Sequence, residues 1–228
     1  MNRRSVRLLM LVEGQSEEAF VKQTLAPWLA ERGVFVQNPV LLWTKRLPEG
    51  SGFRGGVANW AQIRRNLLPL LADGDAWVTT LLDFYGLPDD VPGAARLRGP
   101  GLAAERVRAV QAALAGEFAQ SPRFIPFLAL HEFEAWMFAA PKIVADHFGS
   151  APIAAKLAAA VPADGGPEAI NLGPDTHPKA RLRKVCPAYK ETSDGPILLA
   201  KIGIPAVHAQ CPHFAAGLDQ LEALGRAA

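Results

Sequence analysis

The chain predicts an α/β fold: a mostly parallel sheet with helices on both faces, followed by a C-terminal extension that is mostly helical or irregular. Three observations carry this. Apolar runs of strand length alternate with helical patterns over the first two-thirds of the sequence. The runs are apolar nearly throughout, as strands covered on both faces are. Past Gly149 the alternation stops, and glycine, proline and clustered basic residues take over. The expected division is a core over 1–148 and an extension over 149–228 that packs on it.

Val6 to Val12 reads as a buried strand. Ser16 is placed to cap the helix that follows, and Glu17 and Glu18 fall in its first turn, where the helix dipole favours acids. Phe20, Leu25, Trp28 and Leu29 give that helix an apolar face, and Gly33 ends it. Val34 to Trp43 is a second extended run, broken at Pro39. Leu47 to Gly56 reads as a glycine-rich loop. Ala58 to Leu71 is a second helix with Trp60, Ile63, Leu67 and Leu70 inward. Trp77 to Leu82 is a strand ending in Asp83, and Tyr85 to Gly101 is a long loop. Leu102 to Phe118 is a third helix and Arg123 to Leu130 a further strand. Ala135 to Phe148 reads as helix, as does Pro152 to Val161. Ile197 to Ile204 reads as a short strand or helix, and a helix closes the chain after Cys211-Pro212-His213-Phe214.

Bulk properties exclude several classes. The formal charge of +2 over 228 residues forces no polyanion partner, so any nucleic-acid surface must be local. Two cysteines, Cys186 and Cys211, are too few for a disulfide scaffold. No apolar run reaches the roughly 18 residues of a membrane span. The first apolar stretch is short, interrupted by Arg7 and without a cleavage site, so no signal peptide is expected. The expectation is a soluble cytoplasmic protein with free thiols and no membrane partner.

The chemistry concentrates where strands end. Val12 is followed by Glu13-Gly14, Leu82 by Asp83, and Leu130 by His131-Glu132-Phe133-Glu134. In a parallel sheet these ends lie along one edge, where α/β proteins bind their ligands. Each acid taken alone reads more readily as a turn or cap residue, and Glu17 as a first-turn helix acid. Carboxylates gathered at one edge repel one another unless a cation sits between them. Hard oxygen donors in an incomplete cage suit Mg²⁺ or Mn²⁺. Glu13, Asp83, Glu132 and Glu134 are therefore the candidate metal ligands and catalytic residues.

The pattern resembles the Toprim fold, the Rossmann-like catalytic module of topoisomerases, bacterial primases and related nucleases. That fold carries a Glu after its first strand and an Asp-x-Asp after a later one. Val12-Glu13-Gly14 matches the first signature, whereas Asp83-Phe84-Tyr85 keeps only the first acid of the second. Glu132 or Glu134 is then the candidate for the missing ligand. The whole chain is also similar to a bacterial Toprim-like family, domain-of-unknown-function family 4276. The resemblance rests on Val12-Glu13-Gly14, Gly55-Gly56, Leu82 to Pro88, His131 to Trp136, Gly173 to Thr176, Lys179 to Leu182 and Cys211 to Phe214.

The resemblance implies a metal-dependent nuclease acting on DNA or RNA, with Glu13 as metal ligand or general base. Lys179 and Arg181 would grip the reacting phosphate. Lys179, Arg181, Arg183, Lys184 and Lys190, with Tyr189 nearby, read as a phosphate-backbone patch or equally as a solvated basic face. Arg54 beside Gly55-Gly56 reads as an anion-holding loop or a plain flexible one. His131 fits a general base, a ligand or a structural histidine. Cys186, His208, Cys211 and His213 match no closed zinc spacing. The chain has no Walker-type loop. Members of the family resemble components that work beside ATPases in phage defence, so the expected partner is a separate AAA- or ABC-type ATPase. A homo-oligomer is compatible with everything above. The alternative is a degenerate Toprim module that binds nucleic acid or an ATPase without cutting, which the incomplete Asp-x-Asp favours. A small-molecule phosphotransferase would need a closed pocket.

Overall fold

The computed structural model describes residues 5–46, 52–54, 59–96, 102–170, 173 and 175–227. Its centre is β1 (Val6–Val12), whose sequence VRLLMLV is apolar apart from Arg7. The chain then enters α1 (Gln15–Phe20), which runs on through a π-helical turn (Val21–Leu25) into α2 (Ala26–Ala30). The widened turn directly precedes Pro27, which has no N–H to give to the preceding turn and crowds its carbonyl. Gly14 caps α1 in extended conformation, so Ser16 lies inside the helix and is not its cap.

β2 (Val34–Val36) and β3 (Val40–Leu41) follow, separated at Asn38-Pro39 as expected. β4 (Trp43–Arg46) and β5 (Gly52–Arg54) form a separate antiparallel ribbon, which corrects the reading of Leu47 to Gly56 as loop alone. α3 (Trp60–Leu71) starts at Asn59, whose side chain accepts the Gln62 N–H at 2.9 Å. β6 (Trp77–Asp83) and α4 (Ala103–Glu117) come next, with one 3₁₀ turn, Ala94–Arg96, between them.

The third predicted strand is two short pieces, β7 (Phe124–Ile125) and β8 (Leu128–Ala129), divided at Pro126-Phe127. The helix expected over Ala135 to Phe148 is a 3₁₀ segment, Phe133–Ala139, and then α5 (Pro141–His147). Pro141 opens α5, the position where its missing N–H costs no helical bond. α6 (Pro152–Ala160), a 3₁₀ turn (Gly166–Ala169), α7 (Pro178–Val185), α8 (Glu191–Ile202), α9 (Ile204–Gln210) and α10 (Pro212–Ala227) complete the chain.

β1 pairs with β2 and β3 on one side and β6 on the other, and β6 pairs with β7 and β8. Every one of these pairings is parallel. Side chains alternate between the faces. Leu8, Met10, Val12 and Leu81 join a core built with Phe20, Leu29, Trp136, Phe214 and Leu218. Leu11, Val78 and Leu82 join a second core with Ile63, Leu67, Val107, Val110 and Leu114. The sheet is thus covered on both faces, as its apolar strands required. The carboxyl ends of β1, β6 and β8 come out along one edge, and α7 and α8 close over it.

Candidate functional site

Glu13 follows the last residue of β1. Its N–H donates to the Leu81 carbonyl at 3.1 Å, continuing the strand ladder one residue further. Its Oε2 accepts the N–H of Asp83 at 3.0 Å, so the carboxylate of one strand end is held by the backbone of the next. One helical turn on, Glu17 is buried. Gly14 leaves room for it: a Cβ there would stand 3.0 Å from Glu17 Oε2. Asp83 ends β6, and its Oδ1 is buried without a hydrogen-bond partner among the described residues.

After β8 the chain turns at His131, whose φ of 77° is left-handed and rare for a residue with a Cβ. The reversal brings Glu132 and Glu134 back into the site. Glu132 Oε2 accepts from His177 Nδ1 at 2.8 Å and from the Lys179 N–H at 3.1 Å. Glu134 is fully buried (0%). Its Oε1 accepts from the Tyr189 hydroxyl at 3.3 Å, and its Oε2 is buried without a partner among the described residues. Lys179 reaches into this group from α7. Its Nζ stands 3.6 Å from Glu132 Oε1, 3.6 Å from Glu134 Oε1 and 3.1 Å from Glu191 Oε2.

The charge balance is uneven. Burial, opposed by the Asp83 N–H and helped by the charge of Glu17, pushes the Glu13 carboxyl up to about 7. Burial lifts Glu134 to about 8 against the pull of Lys179. Glu17 is raised by burial and by Glu191. Asp83 is pushed well above the carboxylate range, by burial first and then by Glu13, Glu17, Glu134 and Glu132. Burial works against the charge of Lys179, but Glu134, Glu132, Glu191 and Asp83 together outweigh it and hold the ammonium above its usual range. One half-buried lysine therefore serves a surplus of carboxylates.

All four predicted acids meet at this edge, and Lys179 joins them. Arg183 stands at the rim, its Nη2 3.7 Å from Glu191 Oε2. Arg181 does not reach the acids. Its Nε donates to the Thr176 carbonyl at 2.5 Å, and the side chain lines a cleft between α6 and α7 with Lys184. The 100° step per residue of a helix spreads the basic cluster around α7. Lys190 is exposed, and its N–H donates to Asp194. The side chain of Arg54, with Gly55-Gly56, lies outside the described residues.

His131 is structural. Its Nε2–H donates to the Glu168 carbonyl at 2.8 Å, and burial lowers its pKa to about 4, which keeps the ring neutral. Cys186 and Cys211 are buried free thiols. His208 pairs with Asp219 at 3.0 Å, and His213 bonds the Leu128 carbonyl at 2.9 Å. Trp136 and Phe133 are core residues.

Sequence reasoning missed Glu17 as a site member, and also Glu191, His177 and the rim residue Tyr85, whose ring stacks on His177 at 5.5 Å. Glu17 had a signal: it lies one turn after Glu13 on a helix that begins at the same strand end. Glu191 and His177 had none, because only the folding of the last third brings them to the edge.

A parallel α/β sheet whose carboxyl edge gathers buried, protonation-prone carboxylates around one lysine defines the class of molecule. The chain belongs to the family described as Domain of unknown function (DUF4276), whose model matches residues 12–222. No curated protein and no solved structure matches it significantly.

Proposed function

We propose that the protein is a metal-dependent phosphodiester hydrolase acting on DNA or RNA. The observation that carries this reading is the surplus of buried carboxylate over cation at the sheet edge. Asp83 Oδ1 and Glu134 Oε2, both buried and unpartnered, are oxygen donors suited to a hard divalent cation. As they stand, no three His, Cys, Asp or Glu side chains among the described residues form a ready metal-binding group, so the fit rests on donor chemistry. Glu13, Asp83 and Glu134 would hold Mg²⁺ or Mn²⁺, with Glu132 as a further donor. A bound ion would supply water activation and neutralise charge on the phosphate.

The remaining work falls to side chains of the chain itself. Glu13 would act either as one of the metal ligands or, if it stays off the ion, as the general base that takes a proton from water, a role its value of about 7 matches. Lys179 and Arg183 offer positive charge to a phosphate, and Glu132 orients both His177 and the first turn of α7. The reading draws further support from the resemblance of Val12-Glu13-Gly14 to the Toprim signature. The same resemblance suggests a cytoplasmic effector in phage defence, driven by a separate AAA- or ABC-type ATPase.

Lys179 favours a second reading. Its ammonium already sits among Glu132, Glu134 and Glu191, which suits a degenerate module whose lysine replaces the metal and which binds nucleic acid or an ATPase without cutting. A cleavage panel separates the two. Purified protein is incubated with single- and double-stranded DNA and RNA, in Mg²⁺, Mn²⁺ or EDTA, with and without the neighbouring gene product. Metal-dependent cleavage that Asp83→Asn abolishes supports the hydrolase. Cleavage that survives both Glu13→Gln and Asp83→Asn refutes it.

A further inference from the structure

The basic residues that miss the acidic edge meet each other. Lys156 from α6 and Arg181 and Lys184 from α7 line a cleft of about 280 Å³, together with Asp175 and Thr176. Among the described residues, neither Lys156 nor Lys184 forms an ion pair, and Asp175 is the one carboxylate on the cleft wall. Arg181 is anchored by its Nε to the Thr176 carbonyl, which fixes the guanidinium at the cleft. The rest of the wall is Ala159, Ala160 and Val185, small enough to let a ligand backbone come close. Three positive charges facing one negative charge in a concave site select an anion. Arginine held by one edge still offers its remaining N–H groups to phosphate oxygens.

The position of the cleft says which anion. α7 presents Lys179 and Arg183 to the acidic edge and Arg181 and Lys184 to the cleft. A helix is about 10–12 Å across, so the two sites lie within reach of one extended polyanion crossing α7. We propose that the α6–α7 cleft is a phosphodiester-binding subsite that grips a nucleic-acid strand as it leaves the acidic edge, with Lys156, Arg181 and Lys184 on successive phosphates. The choice of a strand over an isolated phosphate rests on the hydrolase reading; the anion chemistry of the cleft does not.

The test is binding without cleavage. Fluorescence anisotropy with labelled 12-nucleotide single-stranded DNA and RNA, in EDTA from 50 to 200 mM KCl, compares the native chain with Lys156→Glu/Lys184→Glu. Both positions are exposed, so the variant is expected to fold, and circular dichroism checks this. The expected result is at least tenfold weaker binding and a salt slope shallower by about 1.4, from about 0.7 for each lost single-strand contact. Unchanged affinity and slope overturn the proposal. So does competition by inorganic phosphate or a mononucleotide as effective, phosphate for phosphate, as the oligonucleotide, because the cleft then holds a lone anion. Binding that depends on the cleft in a protein that cuts nothing in Mg²⁺ or Mn²⁺ upholds the subsite and sinks the hydrolase alone.

Discussion

The backbone N–H of Asp83 donates to the side chain of Glu13 at 3.0 Å, so the ends of the two central strands are tied by one carboxylate. The bond opposes the upward push of burial on the Glu13 carboxyl, whereas Asp83 Oδ1 has no donor among the described residues. Replacing Glu13 with Gln keeps an oxygen for the Asp83 N–H but removes the charge. Asp83→Asn removes a charge that burial already opposes. Both variants are expected to stay folded, Asp83→Asn melting no lower than the parent at pH 8, while each loses Mn²⁺ affinity at least tenfold by isothermal titration. Undiminished Mn²⁺ binding in both would place the metal elsewhere.

A second prediction concerns pH. The folded pKa values of Glu13 and Glu134, about 7 and about 8, lie above the ordinary 4.5. A group raised in this way contributes stability below its unfolded pKa and loses it as pH rises through the folded value. Glu168, lifted to about 7 by burial, behaves the same way. His131 works oppositely: its lowered value makes stability fall as pH drops from 6.5 toward 4. Above about pH 6.5 the contribution of the lowered histidines His131 and His213 to the pH dependence fades and the carboxylates dominate. Urea denaturation in EDTA should show stability falling by on the order of 2–4 kcal/mol between pH 6.5 and 8.5. Glu134→Gln should flatten that slope, and Mn²⁺ should restore stability at the alkaline end. A flat profile would mean that water or counter-ions already neutralise the edge.

These residues also mark how far the sequence could be followed. β1 and β6 were legible because residues 8–12 and 77–82 are apolar or β-branched without a break up to the acid that follows. α3, α4 and α10 were legible from their helical patterns. The β4–β5 ribbon was hidden by glycine-rich composition, and the break at Pro126 by the apolar run around it. The segment Phe133–Ala139 carries a helical pattern but winds as 3₁₀, because it is packed on all sides and held at Glu132 and Glu134 by α7 and Tyr189. The acids of the site were legible because strand ends in a parallel sheet share an edge. Glu191 and His177 were not, because their approach depends on tertiary packing of helices that carry no strand-end signal.

Packing of the last helix gives a prediction independent of any activity. Gly225 of α10 lies against the end of α2: a Cβ there would stand 2.0 Å from the Arg32 carbonyl oxygen and 3.2 Å from Val34 Cγ2. The obstacle is backbone and cannot rotate away. Gly225→Ala, which favours a helix by propensity, should instead lower stability by about 1–3 kcal/mol, read from urea denaturation. Gly116→Ala is the control, since a Cβ there meets nothing within 4 Å. That variant should be neutral or slightly stabilising. Equal effects at the two positions would show that α10 shifts freely on the sheet.

Lys179 is where stability and function meet. Its ammonium faces Glu132, Glu134 and Glu191, and Lys179→Met would keep much of its stem packing while removing the charge. At pH 8 those carboxylates would be left without their half-buried cation; a fully buried pair broken in this way costs about 3–5 kcal/mol, and the partial exposure of Lys179 and Glu191 brings the expected loss below that. At pH 5 Glu134, raised to about 8 by burial, holds a proton of its own, so the loss should be much smaller. Urea denaturation of the variant at the two pH values measures the difference. Mn²⁺ at pH 8 should recover part of it, because a divalent ion can take over the neutralising role. An equal loss at pH 5 and pH 8 would mean that Lys179 acts through packing, and the carboxylate edge would then owe its cohesion to protons alone.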